Sequence, residues 1–165
     1  MSPMPCAPSS CATEPAAILS CLDLGVPLST STQQSAAVGD QLVSKVFAPI
    51  TRHTLALYCG ASGDLNPIHV DSDFAKKAGF PDVFAHGMLV MAYLGQALTD
   101  AVRPDAVRSF STRFAAITQL GAQIRCTGTV NEIFELDGER RARISLSAAD
   151  ETGEIKLTGE AVVAL

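Results

Sequence analysis

A chain of 165 residues supports one domain with a sizeable core and is too short for two ordinary ones. Apolar residues make up 47% of it, yet Trp is absent and aromatics reach only 5%, so the core has to be built from Ala, Val, Leu and Ile with few Phe. With 12 basic against 17 acidic residues and a formal charge of −5, the chain has no basic stripe for a nucleic-acid backbone, and no run of about 18 apolar residues offers a membrane span.

The five cysteines, Cys6, Cys11, Cys21, Cys59 and Cys126, are odd in number and form no C-x-x-C pair. None has a His partner at metal-ligand spacing, which argues against a disulfide framework or a zinc site. Cys59 and Cys126 are expected as small core hydrophobes. The N-terminus lacks the basic stretch and compact apolar segment of a secretory leader, so the expected compartment is the reducing cytoplasm.

Residues 1–36 are rich in Ser, Ala, Pro, Thr and Cys, carry only Glu14 and Asp23 as charges, and hold no sustained period. They are expected to form a flexible low-complexity extension ahead of a globular domain over 37–165. Gln41 to Ala48 has strand composition, and Thr51 to about Gly60 a helical one. A second short helix is expected from Asp71 to Ala78, ended by Gly79 and Pro81. From Gly87 to about Val102 almost no polar face remains, which predicts a long buried helix.

Beyond Arg103-Pro104 the apolar period changes from that of a helix to that of a strand. The runs 123–130, 142–148 and 154–163 alternate apolar and polar residues, and Val107 to Ile117 is strand-like as well. Asp137-Gly138 and Thr152-Gly153 separate successive runs where a hairpin needs residues tolerant of positive φ. The pattern predicts an α+β domain in which an antiparallel sheet wraps one apolar helix.

Within this frame the segment Ser62-Gly-Asp-Leu-Asn-Pro-Ile-His69 carries a carboxylate and an imidazole on one rigid turn, because Pro67 fixes its own φ and pushes Asn66 away from the helical region. Asp64 and His69 suit a proton-handling pair: at working pH an aspartate is ordinarily ionised and a histidine can be neutral. Gly87 opens the long helix, so its N–H has no intrahelical acceptor and sits at the positive end of the helix dipole, and the absence of a Cβ lets a reacting oxygen approach. Asn66 reads as a turn former that braces the site, His86 as a structural or pocket-wall residue, and His53 as solvated. Gly95, inside the helix, suggests that space is wanted there. Lys76, Lys77, Arg108 and Arg113 are candidates for meeting a phosphorylated or acidic carrier.

The Asp64–His69 segment, followed by Ala85-His-Gly-Met-Leu89, Arg113-Phe114 and Gly159-Glu-Ala161, resembles the MaoC-like hydratases over about Val38 to Leu165. The resemblance implies a single hot-dog fold and a dimer, homomeric or heteromeric, with a continuous sheet. It also implies reversible hydration of trans-2-enoyl-CoA or enoyl carrier-protein thioesters to (3R)-3-hydroxyacyl thioesters, as in fatty-acid metabolism. Asp64 and His69 would then be the catalytic pair and the Gly87 N–H the oxyanion donor, with no metal and no cofactor beyond the coenzyme A or acyl carrier of the substrate. Where several family members have a Ser, eight residues after that Gly, this chain has Gly95. A hot-dog thioesterase and a non-catalytic partner subunit of a dehydratase remain alternatives.

Overall fold

The computed structural model describes residues 36–165; the expected extension lies outside them except for Ala36, which is buried. One antiparallel sheet is built from β1 (Gln41–Val46), β2 (Val107–Phe114), β3 (Arg125–Leu136), β4 (Glu139–Ala149) and β5 (Ile155–Ala164). Their spatial order is β1-β3-β4-β5-β2. Three helices, α1 (Arg52–Ser62), α2 (Ser72–Lys77) and α3 (Gly87–Ala101), lie in the chain between β1 and β2, and α3 meets all five strands. This is the α+β sheet-and-helix arrangement expected of a hot dog. No helix among the described residues is long and apolar enough to cross a membrane.

The meander β3-β4-β5 follows the alternation closely. Leu136 pairs with Glu139 across a two-residue hairpin, Asp137 and Gly138 taking φ values of 55° and 75°. Both positions therefore need the positive φ that this Asp-Gly pair tolerates. The alternating residues Cys126, Val130, Ala142, Ile144, Leu146, Ala148, Leu157, Ala161 and Val163 are all buried, forming the sheet side of the core. β3 runs beyond the expected 123–130 to Leu136, with a register shift between Val130 and Glu132 at which the alternation breaks.

Two expectations fail for physical reasons. The first is the helix buried all round: Leu89, Val90, Leu94, Ala97 and Leu98 are dry, but Met88 is 52% exposed and Ala92, Gln96 and Thr99 are exposed too. A single sheet covers only one side of a helix, so the apolar residues opposite it stay at the surface of this chain. The second is the alternation of the 154–163 run, which makes Lys156 one of its polar, outward positions, whereas Lys156 is 3% exposed. Ala148 pairs with Leu157 and Ala149 with Ile155, so Lys156 is the extra residue of a bulge, and the bulge turns its side chain inward.

Candidate active site

The site starts where α1 ends. Gly63 adopts φ 74°, and its N–H closes on the Cys59 carbonyl at 3.1 Å, which stops the helix and turns the chain into Asp64. Local hydrogen bonds then stiffen the segment. The Asp64 N–H donates to Ser62 Oγ at 3.2 Å, Asp64 Oδ1 accepts from the Asn66 N–H at 3.3 Å, and Asn66 Oδ1 accepts from the Ile68 N–H at 3.1 Å. Asn66 thus caps the single 3-10 turn Pro67–His69 and is the turn former that its position suggested.

That turn delivers His69 into the interior, where it is 8% exposed, while Asp64 and Asn66 stay exposed. The Nδ1 of His69 lies 2.8 Å from the Phe84 carbonyl oxygen. A carbonyl can only accept, so Nδ1 carries a proton, and Nε2 is the ring nitrogen left for the site. Phe84 is itself pinned by a bridge to Gln119, and the next N–H, that of Ala85, donates to the Thr118 carbonyl at 2.8 Å.

His86 lies under this arrangement, 1% exposed, its ring stacked on that of His69 with centroids 3.8 Å apart and planes 29° apart. The edge of Tyr58 meets the His86 ring at 5.0 Å. Burial first, and then the neighbouring His69, hold the His86 imidazole below its ordinary pKa. Burial, and then the Asp64 charge, push the Tyr58 phenol up. Within this cluster one ligand-type atom each of Asp64, His69 and His86 lies within 4.8 Å of the others.

His86 is followed by Gly87, the first residue of α3. No side chain caps this helix, and the Gly87 N–H finds no acceptor among the described residues. A Cβ at Gly87 would come within 3.1 Å of the Phe114 ring, so glycine is what keeps the approach to this amide open. Beside it is a cleft of about 290 Å³ lined chiefly by Phe84, Gly87, Val90, Phe114, Ile117 and Lys156.

The other expected residues lie apart from this cluster. At Gly95 a Cβ would sit 3.9 Å from the Phe110 ring, an ordinary contact, so close packing does not demand glycine there, and Gly95 does not line the cleft. Arg108 is committed to Glu139 at 2.9 Å and to the Asp105 carbonyl at 2.6 Å. Lys76, Lys77 and Arg113 are exposed, as is His53, and Cys59 and Cys126 are buried thiols. Burial pushes the Cys126 thiol up to about 12.

Two participants carry no sequence signal. The Phe84 carbonyl orients His69 through its backbone, and the Cys59 thiol donates to the Asp64 carbonyl at 2.8 Å.

A carboxylate with two imidazoles is a set that transition metals favour. His69 Nδ1 and His86 Nε2 each face a backbone carbonyl oxygen, which leaves His69 Nε2 and His86 Nδ1 as the ring atoms with a lone pair.

A five-stranded sheet laid against one helix, with an Asp–His turn beside the bare start of that helix, defines a hot-dog protein. The MaoC like domain matches residues 33–151, and the chain belongs to that family. It is 29% identical over 116 residues to the (R)-specific enoyl-CoA hydratase of Rhodospirillum rubrum, covering 69% of this chain and 78% of that protein. It is 34% identical over 133 residues to the fatty acid synthase beta subunit TOXC of Cochliobolus carbonum, covering 76% of this chain but only 6% of that much longer protein. Among solved structures it resembles the unliganded R-hydratase PhaJ1 of Pseudomonas aeruginosa. The TM-score is 0.68 at 26% identity, with 78% of this chain and 82% of that one covered.

Proposed function

We propose that this chain reversibly hydrates trans-2-enoyl thioesters to (3R)-3-hydroxyacyl thioesters, with coenzyme A or an acyl carrier protein as the thiol. The observation that carries the reading is the Asp64–His69 turn, its imidazole oriented by the Phe84 carbonyl and set beside the uncapped start of α3. In the hydration direction Asp64 and His69 orient one water and His69 Nε2 takes its proton. The hydroxyl adds to C3, and the proton is returned to C2. Charge gathering on the thioester oxygen is met by the Gly87 N–H, a donor type worth about 3–4 kcal/mol when preorganised. No step requires a metal or a further cofactor.

The outer edge of β2 has no strand partner among the described residues, which supports pairing of this chain with a second copy, or with a related hot-dog chain, into a longer sheet. The thiols of Cys59 and Cys126 suit the reducing cytoplasm.

The test is purified protein with crotonyl-CoA and longer enoyl-CoAs, following loss of the conjugated double bond. Hydration is expected, falling about 10²- to 10⁴-fold in Asp64→Asn and His69→Ala. Release of free thiol without hydration points instead to a thioesterase. Retained hydration in both variants removes Asp64 and His69 from the mechanism.

A further inference from the structure

We propose that His86 is a positioning residue that ties the Asp64 turn, the His69 ring and the start of α3 into one rigid unit. The inference rests on the hydratase reading of this site and assigns His86 a part in it that neither the motif nor the fold specifies. Three links carry it. The His86 ring stacks on His69 at 3.8 Å. Its Nε2 lies 3.4 Å from the Asp64 carbonyl oxygen, which the Cys59 thiol also grips at 2.8 Å. Its own backbone is the N-cap of α3, one peptide ahead of the Gly87 amide.

The tautomer follows from these contacts. The Asp64 carbonyl only accepts, so His86 Nε2 carries the proton and Nδ1 the lone pair. That Nδ1 is buried and has no hydrogen-bond partner. A protonated ring would therefore place an unmatched buried N–H and a positive charge against His69. The lowered pKa of His86 has the same origin. His86 is held neutral, and its free lone pair faces no solvent, so it acts on the reaction only through His69 and Asp64. Leaving a buried acceptor unpaired costs stability, and sites that accept such a cost tend to be functional.

Two substitutions separate the links. His86→Phe keeps a ring against His69 and removes the donor to Asp64; His86→Gln keeps a donor and removes the ring. Each is expected to lower kcat about 10-fold, with His86→Ala, lacking both, falling about 100-fold and KM moving by no more than about 3-fold. A second readout does not depend on turnover. With imidazole nitrogens labelled and only His53, His69 and His86 to assign, the spectrum reports the His69 tautomer directly. A single Nδ1–H form is expected in the wild type and in His86→Phe, and a mixture in His86→Gln.

Unchanged kcat in all three variants, or a His69 signal untouched by His86→Gln, overturns the proposal. If the wild type hydrates no enoyl thioester, the hydratase reading fails by itself. The His69 spectrum then decides positioning alone: a mixture in His86→Gln with a single form in His86→Phe supports it, and any other pattern overturns it.

Discussion

Two polar clusters, one around Lys156 and one around His86, treat their hydrogen-bonding capacity in opposite ways. Around Lys156 the capacity is filled. The ammonium reaches Asp150 at 3.0 Å, the Ile117 carbonyl at 3.2 Å and the Glu154 carboxylate. Asp150 in turn accepts from the Thr152 hydroxyl at 2.6 Å and from the Thr152 and Glu154 N–H groups at 2.9 and 3.0 Å. Burial, the largest single influence on Lys156, pulls its pKa down, but bonding to Glu154 and Asp150 outweighs it and the net shift is upward. Around His86 capacity is left over: an orphaned Nδ1, an uncapped helix start and an exposed Asp64 carboxylate. Filled capacity marks a knot that holds the β4–β5 turn, whereas the capacity left over around His86 is what the proposed hydratase site would use.

The strongest way to break this comparison is to delete one member of each cluster and measure stability. Lys156→Met strands Asp150 and the Ile117 carbonyl and is expected to cost about 3 kcal/mol in urea unfolding, as a broken buried pair does. Asp64→Asn, which removes an exposed charge with one weak turn bond, is expected to leave the unfolding midpoint within about 0.5 kcal/mol while abolishing most activity. A larger loss in Asp64→Asn than in Lys156→Met would reverse the assignment of the two clusters.

Acid sharpens the comparison, because the clusters should fail in separate pH windows. The folded pKa of His86 is lowered, so below the unfolded value, about 6.5, the unfolded chain binds a proton that the folded chain refuses, and stability falls as pH drops through that range. Asp150 is held at about 2, chiefly by the Thr152 hydroxyl. Its contribution is therefore complete above the unfolded value of about 3.9 and is lost as pH falls toward 2. Urea midpoints against pH should lose the upper slope in His86→Gln and the lower one in Asp150→Asn. A profile unchanged by either substitution contradicts the account of these groups.

The smallest expected effect is at Gly87. A Cβ would press on the Phe114 ring at 3.1 Å, but that ring is 52% exposed and can turn aside. Gly87→Ala is therefore expected to change stability by less than about 1 kcal/mol. It should lower kcat/KM about 10-fold by crowding the amide. An unaffected kcat/KM would remove that amide from the site.

What was legible in the sequence is what local physics determines. The Asp64–His69 turn, the start of α3 and the Asp137-Gly138 hairpin each depend on residues a few positions apart, and each was found where the pattern placed it. The strand order was not legible, because β1 pairs with β3 and β2 with β5 across long stretches of chain. Lys156 was misplaced because a bulge is one inserted residue with no composition of its own, and alternation counted through it inverts. α3 was over-read as dry all round, since an apolar side chain does not reveal whether a second layer exists to cover it. Within the site, the Phe84 carbonyl was invisible because every residue has one, and His86 read only as a structural or pocket-wall residue because its partners come from a different turn.

The same pairing pattern governs the order in which the molecule is assembled. β3, β4 and β5 join through tight turns and close at little entropic cost, whereas Val43 must find Gly128 and Phe110 must find Ala161 across far longer loops. The three-stranded meander is thus the part able to form early, with the outer strands added to it afterwards. Asp64, His69, His86 and Gly87 all lie in the stretch between β1 and β2, which is fixed at both ends only when those strands dock. The turn's own hydrogen bonds are local, but its placement beside the sheet is completed with the outer strands, so a chain lacking them would carry the meander without an assembled site.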